Sequence, residues 1–195
     1  MCYSAQIWAD YNKFTKVFGA LMDIKEFVRL FWERAENSTI KIPKAMEAAF
    51  ADPQTEQERQ IKALIVAYTA DQVGKTEREL FQQTKRLADA ERTLQSQTTK
   101  AAIESKRIAA DKIEKAKGKL ADLRRTDLRP RDSRIFPGNY APVMVMEDGK
   151  RVVKPMRYQC RPAGKPAFYD TKFPGTYNAR RDNLEGFWKT LFGHT

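Results

Sequence analysis

The sequence predicts an α+β protein: a body built from both ends of the chain, β-rich toward its C-terminal side, with a long helical insertion protruding from it. Three observations lead there. Residues 54–128 contain no proline and only two glycines, Gly74 and Gly118, and are dominated by Gln, Glu, Lys, Arg and Ala, all good helix formers. From Arg129-Pro130 onward the texture changes to short apolar runs broken by Pro-Gly and Asp-Gly pairs, the punctuation of strands and turns. The length, 195 residues with 42% hydrophobic, suits one ordinary domain plus an accessory element and argues against wholesale disorder.

Residues 1–53 form the first part. Tyr11, Phe14, Phe18 and Met22 recur at three- and four-residue spacing, and so do Phe27, Leu30, Phe31 and Arg34, which predicts two amphipathic helical segments after a short extended N-terminus. Ser38 and Thr39 end the second, and Ile42-Pro43 opens a further short helix through Phe50. Phe31 and Trp32 are read as core residues. In the second part, residues 54–128, Leu80, Leu87, Leu94, Ala101 and Ile108 fall seven apart with Phe81, Ala88, Ala102 and Ala109 beside them. The register then slips to Ile113, Ala116, Leu120 and Leu123. A long helix or helical hairpin with a thin, Ala-rich coiled-coil seam accounts for this pattern. Such an arm is a solvent-exposed spacer, a pairing element for a partner or a second copy, or a Lys/Arg-bearing contact to nucleic acid. In the third part, residues 129–195, Met144 to Val153 around Glu147-Asp148-Gly149 reads as a β-hairpin.

Charge is distributed unevenly. The formal net charge is +11: residues 1–53 are balanced, residues 54–129 contribute +5 and residues 130–195 contribute +6. Ten of the 21 aromatic residues lie in that last, most basic segment. This suits a surface that neutralises phosphates and stacks bases, and equally a solvated basic surface over an aromatic core. No apolar run approaches the roughly 20 residues of a membrane span. The N-terminus lacks the basic and apolar regions of a secretory signal. Two cysteines, Cys2 and Cys160, cannot make a disulfide framework, and one histidine leaves little for a metal site. The expectation is a soluble, cytoplasmic protein with no membrane partner, no metal and no cofactor.

Phosphate-binding glycine motifs, C-x-x-C pairs and a plausible Ser–His–Asp arrangement are all missing. Cys2 remains. Removal of Met1 would leave its α-amine, with a reference pKa of about 7.7–8.0, beside a thiol of about 8.5. The amine can form a Schiff base with an aldehyde, and the thiolate can then close a five-membered thiazolidine ring.

Three segments carry a resemblance: M-C-Y-S-A-Q at the start, F-P-G-N-Y-A-P-V-M at 136–144 and Y-N-A-R-R-D-N at 177–183. In that order they resemble the SOS response-associated peptidase (SRAP) family, whose members protect and process abasic sites in single-stranded DNA as part of the DNA-damage response. Asn139, Ala141 and Pro142 match the family's N-x-A-P turn, and Asn178, Ala179 and Arg180 match its N-A-R segment, with Asp182 in place of the usual Glu. Ser4 stands where the family usually has Arg. The resemblance implies an SRAP-like body and a covalent DNA–protein link through Cys2, with Asn178 beside it against the sugar. It implies phosphate contacts from Arg180 and Arg181 and a wall shaped by Pro142. Arg157, next to Tyr158, is a further candidate for a phosphate contact or a surface role. The partner implied is single-stranded DNA with abasic sites, and the peptidase activity would be removal of the residue before Cys2. The family's P-A-x-G-x-x-E-W strand with its catalytic Glu, and its later catalytic His, would follow residue 195, so the expectation is a truncated member covering about 120 residues of the N-terminal half of the family domain. On that view Phe187, Trp188, Leu191 and Phe192 form an exposed aromatic surface. A non-enzymatic coiled-coil interaction protein, or an inactive fragment, is the alternative.

Overall fold

A computed structural model of the chain describes residues 5–6, 11–37, 39–162, 164–166, 168–173, 184–186 and 188–189. Contacts divide it into two compact units, Met1–Lys62 with Leu128–Thr195, and Ala63–Asp127. Helices and a small mixed sheet together place the protein in the α+β class.

The first unit opens with strand β1 (Ala5–Gln6) and helix α1 (Tyr11–Phe18). Gly19, at φ 58°, ends that helix in the left-handed region that favours glycine. The chain then enters strand β2 (Leu21–Met22), so Met22 does not continue the helical stripe expected from its spacing. Helix α2 (Ile24–Glu36) starts at Asp23, whose Oδ1 accepts from the Glu26 N–H at 3.3 Å. Its buried face is Phe27, Leu30, Phe31 and Arg34. Trp32 lies about 100° around the helix from Phe31, off that stripe, and is 54% exposed; the reading of Trp32 as a core residue is corrected accordingly. Helix α3 (Lys44–Ala48) follows Pro43 and hands Phe50 to the core, where its ring meets Phe27 at 5.9 Å and Phe31 edge-on at 5.7 Å. Arg34 is buried against these rings, its Cζ 5.0 Å from the Phe31 centroid, and donates to the Glu47 carboxylate. Ile61, Ile135, Ala141 and Val153 are also buried in this unit.

After a 3₁₀ turn (Pro130–Ser133) and strand β3 (Arg134–Ile135), the expected hairpin is present and longer than its sequence signal: strand β4 (Tyr140–Glu147) pairs antiparallel with strand β5 (Lys150–Arg157). Asp148 (φ 50°) and Gly149 (φ 74°) make the two-residue turn, the both-positive pattern whose twist matches the strands it joins. Pro142 faces Pro155 across the ladder. Counted from the turn, this is a non-hydrogen-bonded pair, so neither proline removes a β4–β5 bond. On its other edge β5 meets β2, in parallel, only at Val152 and Val153, before Pro155 is reached. The sheet order is β2-β5-β4, with α2 packed against β5, while β1 and β3 form a separate antiparallel pair. A short helix α6 (Tyr169–Lys172) follows. Trp188 is buried, which corrects its place in the expected exposed aromatic surface; Phe187, Leu191 and Phe192 lie outside the described residues.

The second unit is a helical hairpin. Helix α4 (Glu56–Ser96) enters it from the first unit, and helix α5 (Lys100–Arg124) begins where Thr99 Oγ1 accepts from the Ala102 N–H at 3.1 Å. The helices run antiparallel, joined by Arg86 to Ser105 at 2.9 Å, Lys106 to Glu91 at 3.0 Å and Arg124 to Glu77 at 2.5 Å. On α4 the seam is Thr76, Leu80, Gln83, Leu87, Ala90 and Leu94, buried or half-buried at alternating spacings of four and three. On α5 it is Ala102, Ala109, Ile113, Ala116 and Leu120. The expected heptad through Ala101 is therefore wrong by one position: Ala101 is exposed, because the turn at 97–99 resets the register. Phe81, expected beside the seam, is 74% exposed. Thr76, Thr84 and Thr93 fit the long helix by donating their hydroxyls to carbonyls four residues earlier, at 2.7–3.0 Å. Among the described residues no helix is long and apolar enough to cross a membrane.

Candidate nucleic-acid interface

The F-P-G-N-Y-A-P segment begins as a tight turn. The Asn139 N–H donates to the Phe136 carbonyl at 2.9 Å, with Pro137 and then Gly138, at φ 86°, in the two central positions. Proline followed by a left-handed glycine is the signature of a type II turn. Gly138 and Asn139 then both oppose Tyr158: the Gly138 N–H donates to the Tyr158 carbonyl, and the Tyr158 N–H to the Asn139 carbonyl, each at 2.8 Å. That glycine bulge bends the β4–β5 ladder where it leaves the hairpin. Lys41 closes the far edge, its carbonyl accepting from the Tyr140 N–H at 2.9 Å.

At this end of the sheet the ladder sets Tyr140 opposite Arg157 and Pro142 opposite Pro155, so Pro142 and Arg157 share a face as diagonal neighbours. Pro142 is half-buried. Arg157 reaches across to helix α6, where its Nη1 donates to Asp170 Oδ2 at 2.7 Å. Its Nη2 lies 4.0 Å from the point a β-carbon on Gly138 would occupy. Asp170 is enclosed, its side chain 1% exposed, and its second oxygen faces Arg161 Nε at 3.5 Å. That distance is too long for a full hydrogen bond and leaves the contact an ion pair. Both arginine side chains remain about one-third exposed, at 35% and 36%.

Residues 157–173 thus carry four cations, Arg157, Arg161, Lys165 and Lys172, against the single buried carboxylate of Asp170. Aromatic surface lies on the same segment. Tyr169 and Phe173 stack at 4.4 Å between centroids with their planes 38° apart, the Lys172 ammonium stands 5.7 Å from the Phe173 ring, and Phe168 and Phe173 are exposed. Cations flanking exposed rings can hold a flexible polyanion by its phosphates and its bases together.

Of the residues singled out from sequence, Pro142 and Arg157 meet at this edge, while Cys2, Asn178, Arg180 and Arg181 lie outside the described residues. Arg161 and Asp170 were not anticipated. The only trace of them in the sequence is an Arg-x-x-x-Arg spacing and a lone acid in a basic, aromatic stretch. Strand β1 adds one more element: Ala5 pairs with Ile135 and Gln6 with Arg134, immediately ahead of the Phe136–Asn139 turn. Among the described residues no group of three metal-binding side chains comes together. These features define an α+β protein with a basic, aromatic edge on its mixed sheet. No protein-family model, curated protein or solved structure matches the chain.

Proposed function

We propose that this chain is an SRAP-type protein that binds single-stranded DNA and closes a thiazolidine ring between Cys2 and the aldehyde of an abasic site. The observation that carries the reading is the β1–β3 pairing. The strand three residues beyond Cys2 is hydrogen-bonded to the strand that runs directly into the F-P-G-N-Y-A-P segment, which brings the first segment bearing the resemblance next to the start of the second within one compact unit. The basic, aromatic edge that follows supplies the expected kind of surface for a single strand.

The chemistry needs few parts. Removal of Met1 by hydrolysis frees the Cys2 α-amine, whose nitrogen lone pair adds to the aldehyde carbon of the ring-opened deoxyribose. The resulting carbinolamine loses water to give the imine. The Cys2 thiolate then adds to that imine carbon, forming the C–S bond as the nitrogen takes up a proton. One water is lost overall and nothing is oxidised or reduced. Asn178 would hydrogen-bond the sugar, and Arg180 and Arg181 would hold flanking phosphates as bidentate donors.

The test is incubation of the purified chain with a single-stranded oligonucleotide carrying one abasic site, read by denaturing electrophoresis and intact mass. The expected product has the summed mass of Met1-free protein and DNA less one water, forms without borohydride, and is absent for Cys2→Ala. An adduct that persists in Cys2→Ala, a reactive protein that retains Met1, or no adduct from wild-type protein that begins at Cys2 overturns the proposal.

A further inference from the structure

We propose that Arg157 and Arg161, held by the buried carboxylate of Asp170, form a two-guanidinium clamp for a backbone phosphate of single-stranded DNA. The inference rests on the single-strand-binding half of the function proposed above and is independent of the chemistry at Cys2.

A carboxylate removed from water demands cationic partners, and Asp170 has two, at 2.7 and 3.5 Å. A single arginine would neutralise it; the second leaves the cluster with one net positive charge at the protein surface. Geometry matters as much as charge. Arg157 spends Nη1 on Asp170 and Arg161 faces it with Nε. Each guanidinium therefore keeps N–H donors that these contacts do not use, and each arginine side chain remains about one-third open to solvent. Fixing one edge of a planar guanidinium lowers the entropy lost when its remaining donors engage a ligand. The two arginines come from different elements, the end of β5 and the loop beyond it, and face different oxygens of the one Asp170 carboxylate. That carboxylate holds both guanidiniums near each other, so that their unused donors can serve two oxygens of one tetrahedral anion. Gly138, in its left-handed turn, is a close neighbour of Arg157, whose Nη2 lies 4.0 Å from the point where a β-carbon would stand. Exposed Phe168 and Phe173 on the same segment favour a phosphate attached to unpaired bases over a free anion. In this arrangement Asp170 is a positioning residue: it touches the arginines and not the DNA.

The clamp has a signature that simple surface charge would not give. Binding of a fluorescent oligo-dT without abasic sites, measured by anisotropy at several salt concentrations, separates the two. The clamp predicts that Arg157→Gln with Arg161→Gln weakens binding by about 100-fold and flattens the salt slope by roughly 0.7 for each phosphate no longer neutralised. It predicts that Arg157→Lys with Arg161→Lys, which preserves the charge and removes the planar fork, also weakens binding at least tenfold. Asp170→Asn removes a negative charge, so plain electrostatics predicts tighter binding; the clamp predicts weaker binding, because the arginines lose their anchor. Circular dichroism melts identify variants that fail to fold, and the Lys pair decides the question if Asp170→Asn is among them. Unchanged affinity in the Gln pair, full affinity in the Lys pair, or no oligo-dT binding by wild-type protein overturns the clamp. A protein that binds oligo-dT through this pair but never crosslinks abasic DNA retires the Cys2 chemistry and leaves the clamp standing.

Discussion

Arg34 and Glu47 show how much one pair of side chains can decide in a core this small. Arg34 is almost fully enclosed, stacked over Phe31, and its guanidinium meets a carboxylate that is itself mostly covered. The pair ties helix α2 to helix α3 beside the Phe27–Phe31–Phe50 cluster. An ion pair out of water gains little over well-packed apolar groups, but removing one member strands the other. Glu47→Ala should therefore cost about 3–5 kcal/mol of unfolding free energy. The double replacement Arg34→Met with Glu47→Leu should recover most of that stability. Urea denaturation of the three proteins checks this, and a double variant no more stable than Glu47→Ala would show that the ionic contact is itself the favourable term.

The helical hairpin poses the same question along an element. Its two helices meet through alanines, half-buried leucines and two polar residues, Thr76 and Gln83. Thr76 satisfies its hydroxyl on the Gln72 carbonyl at 2.7 Å, whereas Gln83 Oε1 is buried with no hydrogen-bond partner. A buried acceptor without a donor costs on the order of 1–3 kcal/mol. Gln83→Leu places an apolar group of similar size in the seam and should raise stability by about 1 kcal/mol, seen as a higher melting temperature of the helical signal. A lower melting temperature would mean that the amide serves a role the seam needs. At the sheet, the Glu147 carboxylate beside Lys154 lifts that ammonium above the usual lysine range, chiefly through their hydrogen bond. A raised folded-state value means that this stabilisation is complete below the ordinary lysine pKa and is lost as pH climbs through the raised one, so the contact persists at neutral pH.

At the scale of the molecule, the two units make different demands. The unit formed by Met1–Lys62 and Leu128–Thr195 contains the aromatic core, the mixed sheet and the basic edge, and Ala63–Asp127 contains the polar hairpin. Replacing Ala63–Asp127 with a Gly/Ser linker of about 20 residues, whose typical reach is roughly 25 Å, should leave the first unit cooperatively folded. The adduct formation proposed for Cys2 should survive with it. A folded deletion protein that no longer forms the adduct would assign the hairpin to the reaction, and one that no longer binds oligo-dT would assign it to DNA capture.

What could be read from the sequence alone was local. Three- and four-residue apolar spacing marked helices α1 and α2, the absence of proline marked the long helical stretch, and Asp148-Gly149 marked the hairpin turn, because each depends on backbone preferences within a few residues. Pro142 and Arg157 could be named from the sequence, but not the company they keep. Apolar character put Trp32 in the core, and heptad spacing put Ala101 in the seam. Tertiary packing reversed both, because which side of a helix is buried depends on what lies against it, and a three-residue turn is enough to shift a heptad. The union of Arg157, Arg161 and Asp170 was decided only by the tertiary structure. A carboxylate in helix α6 becomes the anchor for an arginine thirteen residues earlier only when the end of β5 and that helix are folded against each other, and no periodicity in the chain encodes that meeting.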